Sequence, residues 1–268
     1  MVAKMKHLAI VSEKGDLVSD FYKSVFGMKS LGRSRPSGAI AVRDGYVGLN
    51  INPRKPGRQA GLDHFGFEVE ELEGVYARMR EKYSAIETLK RPSNRPFAGI
   101  STHDPAGNVF DLSQKAMENR TDVYVEAERK QDRQVSHFAL RTLDPTSVAV
   151  FYRDVFELTE KEKPADDPNF YLTDGKVTLI VCPWKITDYK GTGIERPALD
   201  HIGFKVESMH AVKKDLQAFR DRNPSHSPTI KADEQEARLK LFSRCSYGQF
   251  QFSDPDGVLI DVAEGKDS

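Results

Sequence analysis

Hydrophobic positions follow two different periods along this chain, and the same succession of periods occurs four times. Four segments begin with a polar residue and a histidine and continue with alternating or apolar residues typical of a strand: KHLAIVS from Lys6, DHFGFEV from Asp63, SHFALRT from Ser136 and DHIGFKV from Asp200. Each segment runs into a stretch in which apolar residues recur every three or four positions, as in Leu17, Phe21 and Val25. The pattern predicts a strand followed by an amphipathic helix, four times over.

Turn residues divide the sequence after each helix into shorter strands. Asp44-Gly45 and Asp174-Gly175 have the composition of two-residue hairpin turns. The second and fourth segments instead end in Asp-Pro-x-Gly turns that begin at Asp104 and Asp254, where proline presets one backbone angle and glycine adopts a conformation that other residues resist. The sequence therefore predicts four βαβββ modules, an α+β architecture.

Length and composition bound the class of protein. A chain of 268 residues is long enough for about two domains. Residues 117–134 are highly charged and contain neither glycine nor proline, so we interpret them as a linker between an N-terminal domain of residues 1–116 and a C-terminal domain of residues 135–268. Each domain would contain two modules.

The charge balance and the apolar runs predict the kind of partner. Forty basic residues equal forty acidic residues, so there is no overall basic field to attract nucleic acid. No apolar run is long enough to cross a bilayer, and the first residues lack the apolar stretch of a signal peptide. Two cysteines are too few for a disulfide framework. We expect a cytoplasmic homo-oligomer that binds a small molecule, without membrane or nucleic-acid partners.

Side-chain alternation predicts where polar groups lie on the strands. In DHFGFEV, His64 and Gly66 share one face of the strand, whereas Phe65 and Phe67 share the other. The bulky face can pack under helices, which leaves the histidine facing a cavity and the glycine giving a substrate room to approach. Asp111 lies in a similarly apolar run, where a buried carboxylate is costly unless it has a partner such as a metal ion.

Three paired motifs carry a resemblance to a known family. Both halves contain Phe-Tyr-x-x-Val-Phe at the end of the first helix, Asp-His-x-Gly-Phe-x-Val-Glu in a strand, and Asp-Pro-x-Gly-x-x-x-Asp in the last hairpin. This arrangement resembles the vicinal oxygen chelate superfamily, which includes glyoxalase I, bleomycin-resistance proteins and type I extradiol dioxygenases.

The resemblance implies that pairs of modules form cup-shaped domains of mixed sheet. It also implies that each cup binds a divalent metal through the first strand of each module and the last strand of the second. The residues at those positions are His7, His64 and Asp111 in the N-terminal half, and His137, His201 and Asp261 in the C-terminal half. In two-domain extradiol dioxygenases the C-terminal site is the active one, so we favour it here.

Two imidazoles and one carboxylate leave open positions on a metal, where two adjacent substrate oxygens can bind. The four-module layout and the C-terminal His-His-carboxylate set resemble those of extradiol dioxygenases. The resemblance implies iron(II) and ring cleavage of a small molecule with vicinal oxygens, for which an aromatic compound is the leading candidate. Manganese, zinc, nickel or magnesium would instead favour a glyoxalase-like lyase or isomerase. A metal-free binding or resistance protein built on the same cup is the third alternative.

The resemblance is incomplete around the acid/base groups. The carboxylate of the family is usually Glu, whereas this chain has Asp at both positions. Extradiol enzymes also tend to have a catalytic His before the final hairpin and a Tyr three residues before its Asp-Pro, and Gln251 stands at that Tyr position. Tyr247, His226 and Arg244 are the remaining candidates for catalytic groups.

Overall fold

The computed structural model describes residues 2–33, 37–93, 95–117, 124, 131–188, 196–226 and 248–265. The first module contains β1 (Lys4–Ser12), α1 (Gly15–Phe26), β2 (Lys29–Arg33), β3 (Ile40–Arg43) and β4 (Gly48–Pro53). The second contains β5 (Gly61–Val69), α2 (Leu72–Lys82), β6 (Thr88–Lys90), β7 (Ile100–His103) and β8 (Val109–Gln114). Both follow the predicted βαβββ order.

The C-terminal half repeats this order. The third module contains β9 (Gln134–Thr142), α3 (Pro145–Phe156), β10 (Thr159–Glu160), β11 (Phe170–Thr173) and β12 (Thr178–Pro183). The fourth contains β13 (Leu199–Val206), α4 (Met209–Arg222), a 3-10 turn (Pro224–His226), β14 (Phe250–Ser253) and β15 (Leu259–Glu264). Residues 227–247, where the sequence predicts a further strand, lie outside the described part of the chain. The domain boundaries at residues 116 and 135 stay a prediction.

Within the described residues, the strands form two mixed sheets, which confirms the predicted fold class. The eight-stranded sheet has the order β2-β3-β4-β1-β5-β8-β7-β6, and the seven-stranded sheet has the order β10-β11-β12-β9-β13-β15-β14. The two first strands of each domain, β1 with β5 and β9 with β13, pair antiparallel at the centre. The last strands β8 and β15 pair parallel with β5 and β13. This order places the three strands that carry the predicted ligands side by side in each sheet.

The core is built from aromatic side chains that cross between the two halves. Phe26 at the end of α1 stacks on Phe204 of β13, with ring centroids 3.7 Å apart. In the corresponding place, Phe156 at the end of α3 stacks on Phe67 of β5 at 4.5 Å. Phe65 and Phe67 are fully buried, so the bulky face of β5 packs under a helix as predicted. That helix belongs to the other half of the chain, which makes the two halves one continuous hydrophobic core.

Buried hydrogen bonds reinforce the same contact between halves. The Tyr22 hydroxyl donates to Asp254 Oδ2 at 3.2 Å, and the Tyr152 hydroxyl donates to Asp104 Oδ2 at 3.0 Å. Burial raises the pKa of Asp254 to about 7, although the backbone N–H groups that donate to this carboxylate act in the opposite direction. The aspartates of the two Asp-Pro turns thus accept hydrogen bonds from the helix of the opposite half. No helix in the described residues is both long enough and apolar enough to span a membrane.

Candidate metal centres

Strand register brings the predicted ligands together in both sheets. Gly66 on β5 pairs with His7 on β1 and with Asp111 on β8. In the second sheet, Gly203 on β13 likewise pairs with His137 on β9 and with Asp261 on β15. In each group of two histidines and one aspartate, one ligand atom per residue lies within 4.8 Å of the others. We call these groups the N-terminal triad (His7, His64 and Asp111) and the C-terminal triad (His137, His201 and Asp261).

The C-terminal triad is buried, and its candidate ligand atoms lie close together. Its three residues are at most 1% exposed, and His137 Nε2 lies 3.3 Å from Asp261 Oδ2. Two atoms that each lie about 2.1 Å from one ion, at an angle of about 90–110°, are separated by about 3.0–3.4 Å. Asp261 Oδ2 is buried, and no described residue donates a hydrogen bond to it. Because a buried carboxylate oxygen without a donor is costly, the spacing and the burial both fit a bound cation.

A buried ion pair contacts the ring nitrogen of His201 that points away from the other two ligands. Its Nδ1 donates to Asp200 Oδ2 at 2.8 Å, which directs Nε2 toward the other two ligands. Arg141 binds the same carboxylate with two contacts, Nε to Oδ1 at 2.9 Å and Nη2 to Oδ2 at 3.2 Å. Burial alone would raise the pKa of Asp200, but the charge of Arg141 and the hydrogen bond from His201 hold that pKa well below its usual value. His201 therefore faces an ionised carboxylate that fixes its ring.

The other two members of the C-terminal triad are also held on their outer atoms. His137 Nδ1 lies 3.1 Å from Ser136 Oγ, and Gln251 Nε2 donates to Asp261 Oδ1 at 3.0 Å. Burial lowers the pKa of His137 from 6.5 to about 4, so its imidazole is neutral at pH 7. A neutral imidazole is the form that ligates a metal.

The N-terminal triad has the same arrangement in a wetter setting. His64 Nε2 lies 3.1 Å from His7 Nε2 and 3.2 Å from Asp111 Oδ2. The side chains of His64 and Asp111 are 19% and 12% exposed. His64 Nδ1 contacts Asp63 Oδ2 at 2.7 Å, and Ser101 Oγ donates to Asp111 Oδ1 at 2.5 Å. Burial lowers the pKa of His64, but hydrogen bonds and charge from Asp111 and Asp63 outweigh it and raise the pKa to about 9.

Comparison with known proteins relates the N-terminal part of the chain to a family and the whole chain to solved structures. Residues 4–112 match the family model described as Glyoxalase/Bleomycin resistance protein/Dioxygenase superfamily. The 2,3-dioxygenase LapB from Pseudomonas sp. KL28 is 16% identical, with a TM-score of 0.66 over 98% of this chain and 92% of that one. A catechol 2,3-dioxygenase is 14% identical, with a TM-score of 0.65 over 98% of this chain and 88% of the other. The Mn(II)-bound glyoxalase from Novosphingobium aromaticivorans is 13% identical, with a TM-score of 0.62 over 98% and 82% of the two chains. The family match covers part of the chain, and the likeness to these solved structures shows that the fold extends over nearly all of it.

The glycine of each Asp-His-x-Gly strand has a different role from the one that the sequence suggested. A Cβ on Gly203 would lie 1.9 Å from the His137 ring, so the space belongs to the neighbouring ligand and not directly to a substrate. A Cβ on Gly248 would lie 1.5 Å from Asp261 Oδ1. In the C-terminal sheet, glycines allow the buried side chains of the triad to pack against adjacent backbone.

Two aromatic side chains that sequence reasoning missed fill the N-terminal cup. Phe97 stacks on His7, with ring centroids 4.8 Å apart, and the Tyr124 hydroxyl lies 2.9 Å from His7 Nδ1. Phe97 and Tyr124 are only 2% and 1% exposed. Tyr124 comes from the predicted linker, where it is the one aromatic residue among residues 117–134. That isolated aromatic in a charged segment was the signal that could have revealed a buried anchor.

The structure describes only one of the three predicted catalytic residues. Tyr247 and Arg244 lie outside the described residues, and His226 ends the 3-10 turn that follows α4. Their catalytic roles stay predictions. Gln251, which stands at the expected tyrosine position, holds the outer oxygen of Asp261.

Proposed function

We propose that this protein is a metal-dependent enzyme whose C-terminal triad binds one divalent metal and acts on a small molecule with two adjacent oxygens. Ring cleavage of the extradiol type, with iron(II), is the reaction we favour. The observation that supports the proposal best is the convergence of His137 Nε2, His201 Nε2 and Asp261 Oδ2 in a dry site, where each side chain is held by a partner on its outer atom. Such outer partners orient metal ligands and fix the tautomer of a histidine.

The chemistry follows from what this donor set leaves open. A divalent ion on two imidazoles and one carboxylate supplies Lewis acidity and vacant positions for adjacent oxygens, and iron(II) adds redox chemistry with dioxygen. The protein itself supplies three ligands, keeps a proton on His201 Nδ1 through Asp200, and excludes water from the ligand atoms. Exclusion of water strengthens the electrostatic interactions within the site.

An apolar wall beside the C-terminal triad supports an aromatic or otherwise apolar substrate. Ala139, Tyr171, Ile180 and Cys182 form a buried cluster. Ala139 is two residues from His137 on β9, and Ile180 pairs with Ala139 across the sheet, so the cluster lies on the same face as the ligand. A planar ring could pack on this wall while its oxygens face the metal.

One observation keeps a lyase or isomerase as the second candidate. Where the family resemblance leads us to expect a catalytic tyrosine, Gln251 donates to Asp261 and cannot serve as an acid or base. Tyr247 is the sequence counterpart of Phe97, because each lies seven residues before the aspartate of its Asp-Pro turn. That equivalence makes Tyr247 our first choice for a hydroxyl that acts on substrate, with Arg244 and His226 as further candidates.

The test begins with metal content. Protein purified without chelator and without oxygen is analysed for metal atoms per chain, and oxygen uptake is then measured with catechols. We expect iron to support oxygen uptake and His201→Ala to abolish both C-terminal metal and uptake. His210→Ala, which changes an exposed histidine of α4, is the matched control and should alter neither.

Each alternative has a distinct outcome. Bound metal without oxygen uptake on any catechol would favour the lyase or isomerase. Absence of binding, even on titration with metal, would favour the binding protein. If His137→Ala, His201→Ala and Asp261→Ala all leave the metal content unchanged, the C-terminal assignment is wrong.

A further inference from the structure

We propose that a cavity on the helix side of the N-terminal sheet binds a small carboxylic acid with an apolar body, at a site separate from both triads. The cavity lies between α2 and the hairpin of β6 and β7, and its volume is about 490 Å³. Pockets for small organic ligands measure about 300–1,000 Å³ and are mostly apolar. The inference does not depend on the proposed reaction, and either can fail alone.

The alternation of side chains along β7 separates this cavity from the N-terminal triad. Ser101 Oγ donates to Asp111 Oδ1 at 2.5 Å, so the side chain of Ser101 lies on the same face as the triad. Its neighbour Ile100 points to the opposite face and lines the cavity. Thr88 and Lys90, two residues apart on β6, line the cavity as well. The sheet itself therefore stands between a ligand in the cavity and the triad.

An apolar stripe of α2 forms the wall that faces these strands. Four side chains with the three- and four-residue spacing of one helix face line the cavity: Leu72, Tyr76, Met79 and Tyr83. The helix packs on α3 and on β8, whereas β7 and β6 lie farther out, at the edge of the sheet. Of the four side chains, Met79 is buried and the others are only partly buried. The stripe thus offers apolar surface that the body of a ligand could cover.

A side chain of the protein bridges the corresponding place in the C-terminal half. Lys213 of α4 and Phe250 of β14 stand where the second module has Tyr76 and Ile100. Lys213 Nζ lies 4.6 Å from the centre of the Phe250 ring, so this long side chain crosses from the helix to the strand. Tyr76 and Ile100 instead both line the cavity. The βαβββ fold can therefore form without leaving this space open.

The charges around the cavity favour an anionic ligand. Of the described residues that line it, Arg80 and Lys90 are cationic and none is acidic. Arg80 contacts Glu73 at 2.8 Å, but the two side chains are 66% and 69% exposed. Such an exposed ion pair is weak, and a ligand carboxylate can replace the one from Glu73. Apolar walls with exposed cations beside them complement an apolar molecule that ends in a carboxylate.

The test is isothermal titration calorimetry on the full-length protein. Naphthoate and decanoate are the probes, one with an aromatic and one with an aliphatic body, and the corresponding amides are their uncharged counterparts. We expect saturable binding of at least one acid, at one equivalent per chain. Its amide should bind about 5- to 20-fold more weakly, because it loses the attraction of two exposed cations.

Variants of the cavity give a second readout. Ile100→Phe copies Phe250 and fills part of the space, so it should weaken binding of the acid about 10-fold or more. Arg80→Met and Lys90→Met should each weaken the acid about 2- to 5-fold and leave its amide unchanged. Lys82→Met is the matched control, because Lys82 is also a cation of α2 but contacts Asp154 of α3 at 3.3 Å. It should change neither affinity.

Three results would overturn the inference. The first is that neither acid shows saturable binding. The second is binding that Ile100→Phe, Arg80→Met and Lys90→Met all leave unchanged, and its loss in His201→Ala would place the acid at the C-terminal triad instead. The third is a dimer that Ile86→Arg converts to a monomer, because Ile86 lines the cavity and a second copy of the chain would then fill it. The two charge variants alter exposed side chains, so they decide the matter if Ile100→Phe fails to fold.

Discussion

Arg141→Met tests how the C-terminal triad is held in place. The side chains of Arg141 and Asp200 are only 5% and 3% exposed, so their ion pair is buried. Removal of one partner from such a pair leaves an uncompensated charge in a low-dielectric interior and costs about 3–5 kcal/mol. The pKa of Asp200 is held below its usual value, so its pairing stabilises the fold above about pH 4 and the contribution is lost as pH falls. The variant should therefore lose more stability at pH 7 than near pH 3.

The N-terminal half supplies an internal control. Arg58 contacts Asp63 at 2.5 Å, and Asp63 holds His64 as Asp200 holds His201. Arg58 is 56% exposed and Asp63 is 25% exposed, so solvent screens the pair. Arg58→Met should cost less than about 1 kcal/mol, because exposed ion pairs contribute little.

The assay is guanidinium unfolding of the metal-free proteins, compared as free energies of unfolding. A double variant, Arg141→Met with Asp200→Asn, should recover much of the loss, since a neutral amide oxygen still accepts the proton of His201 Nδ1. Equal costs for Arg141→Met and Arg58→Met would refute the argument from burial. So would a double variant that is no more stable than Arg141→Met alone.

Three further predictions concern packing and buried hydrogen bonds. Gly203→Ala places a Cβ 1.9 Å from the His137 ring, so it should cost about 1–3 kcal/mol and weaken C-terminal metal binding, as seen by thermal melting and Co²⁺ titration. Tyr152→Phe removes the donor to Asp104 and should lower the free energy of unfolding by about 1–3 kcal/mol in guanidinium, whereas a cost near zero would mean that the bond is replaced. The pKa of Asp254 is raised by burial to about 7, so the folded state binds this proton more tightly than the unfolded state does, and stability falls as pH rises from about 4 to 7. Asp254→Asn should remove that slope, and melting profiles with the same slope in both proteins would contradict it.

Sequence periodicity predicted the elements of the fold but not their partners. The change from period two to a three- and four-residue spacing located the strands and helices, and Asp-Pro-x-Gly located the last turns. Periodicity also identified Phe21 as part of a buried face. It could not show that Phe21 packs on Phe219 of α4, because the pattern defines which face is buried and contains nothing about the surface that covers it.

The residues around the candidate sites were likewise predictable from the sequence only in part. The repeated Asp-His pair already contained the outer partner of His201, since Asp200 is its neighbour in sequence. The role of Arg141 could not be predicted from sequence. Arg141 and Asp200 are 59 residues apart in the chain, and their contact depends on the pairing of two strands. Tyr124 is 117 residues from His7, and only the folded chain shows that the two meet.

The two triads show that repeated ligands do not make equivalent sites. His137 lies in a dry interior, where burial lowers its pKa to about 4, and it is ready to bind a cation at pH 7 without releasing a proton. His64 lies between two carboxylates that raise its pKa to about 9, so a cation at the N-terminal triad must first displace a proton at pH 7. The position of Arg141 four residues after His137 is taken by Val11 after His7, which leaves Asp63 to an exposed arginine and the triad more open to water. The same three residue types thus recur in both halves, whereas their neighbours give the histidines of the two triads different protonation states at neutral pH.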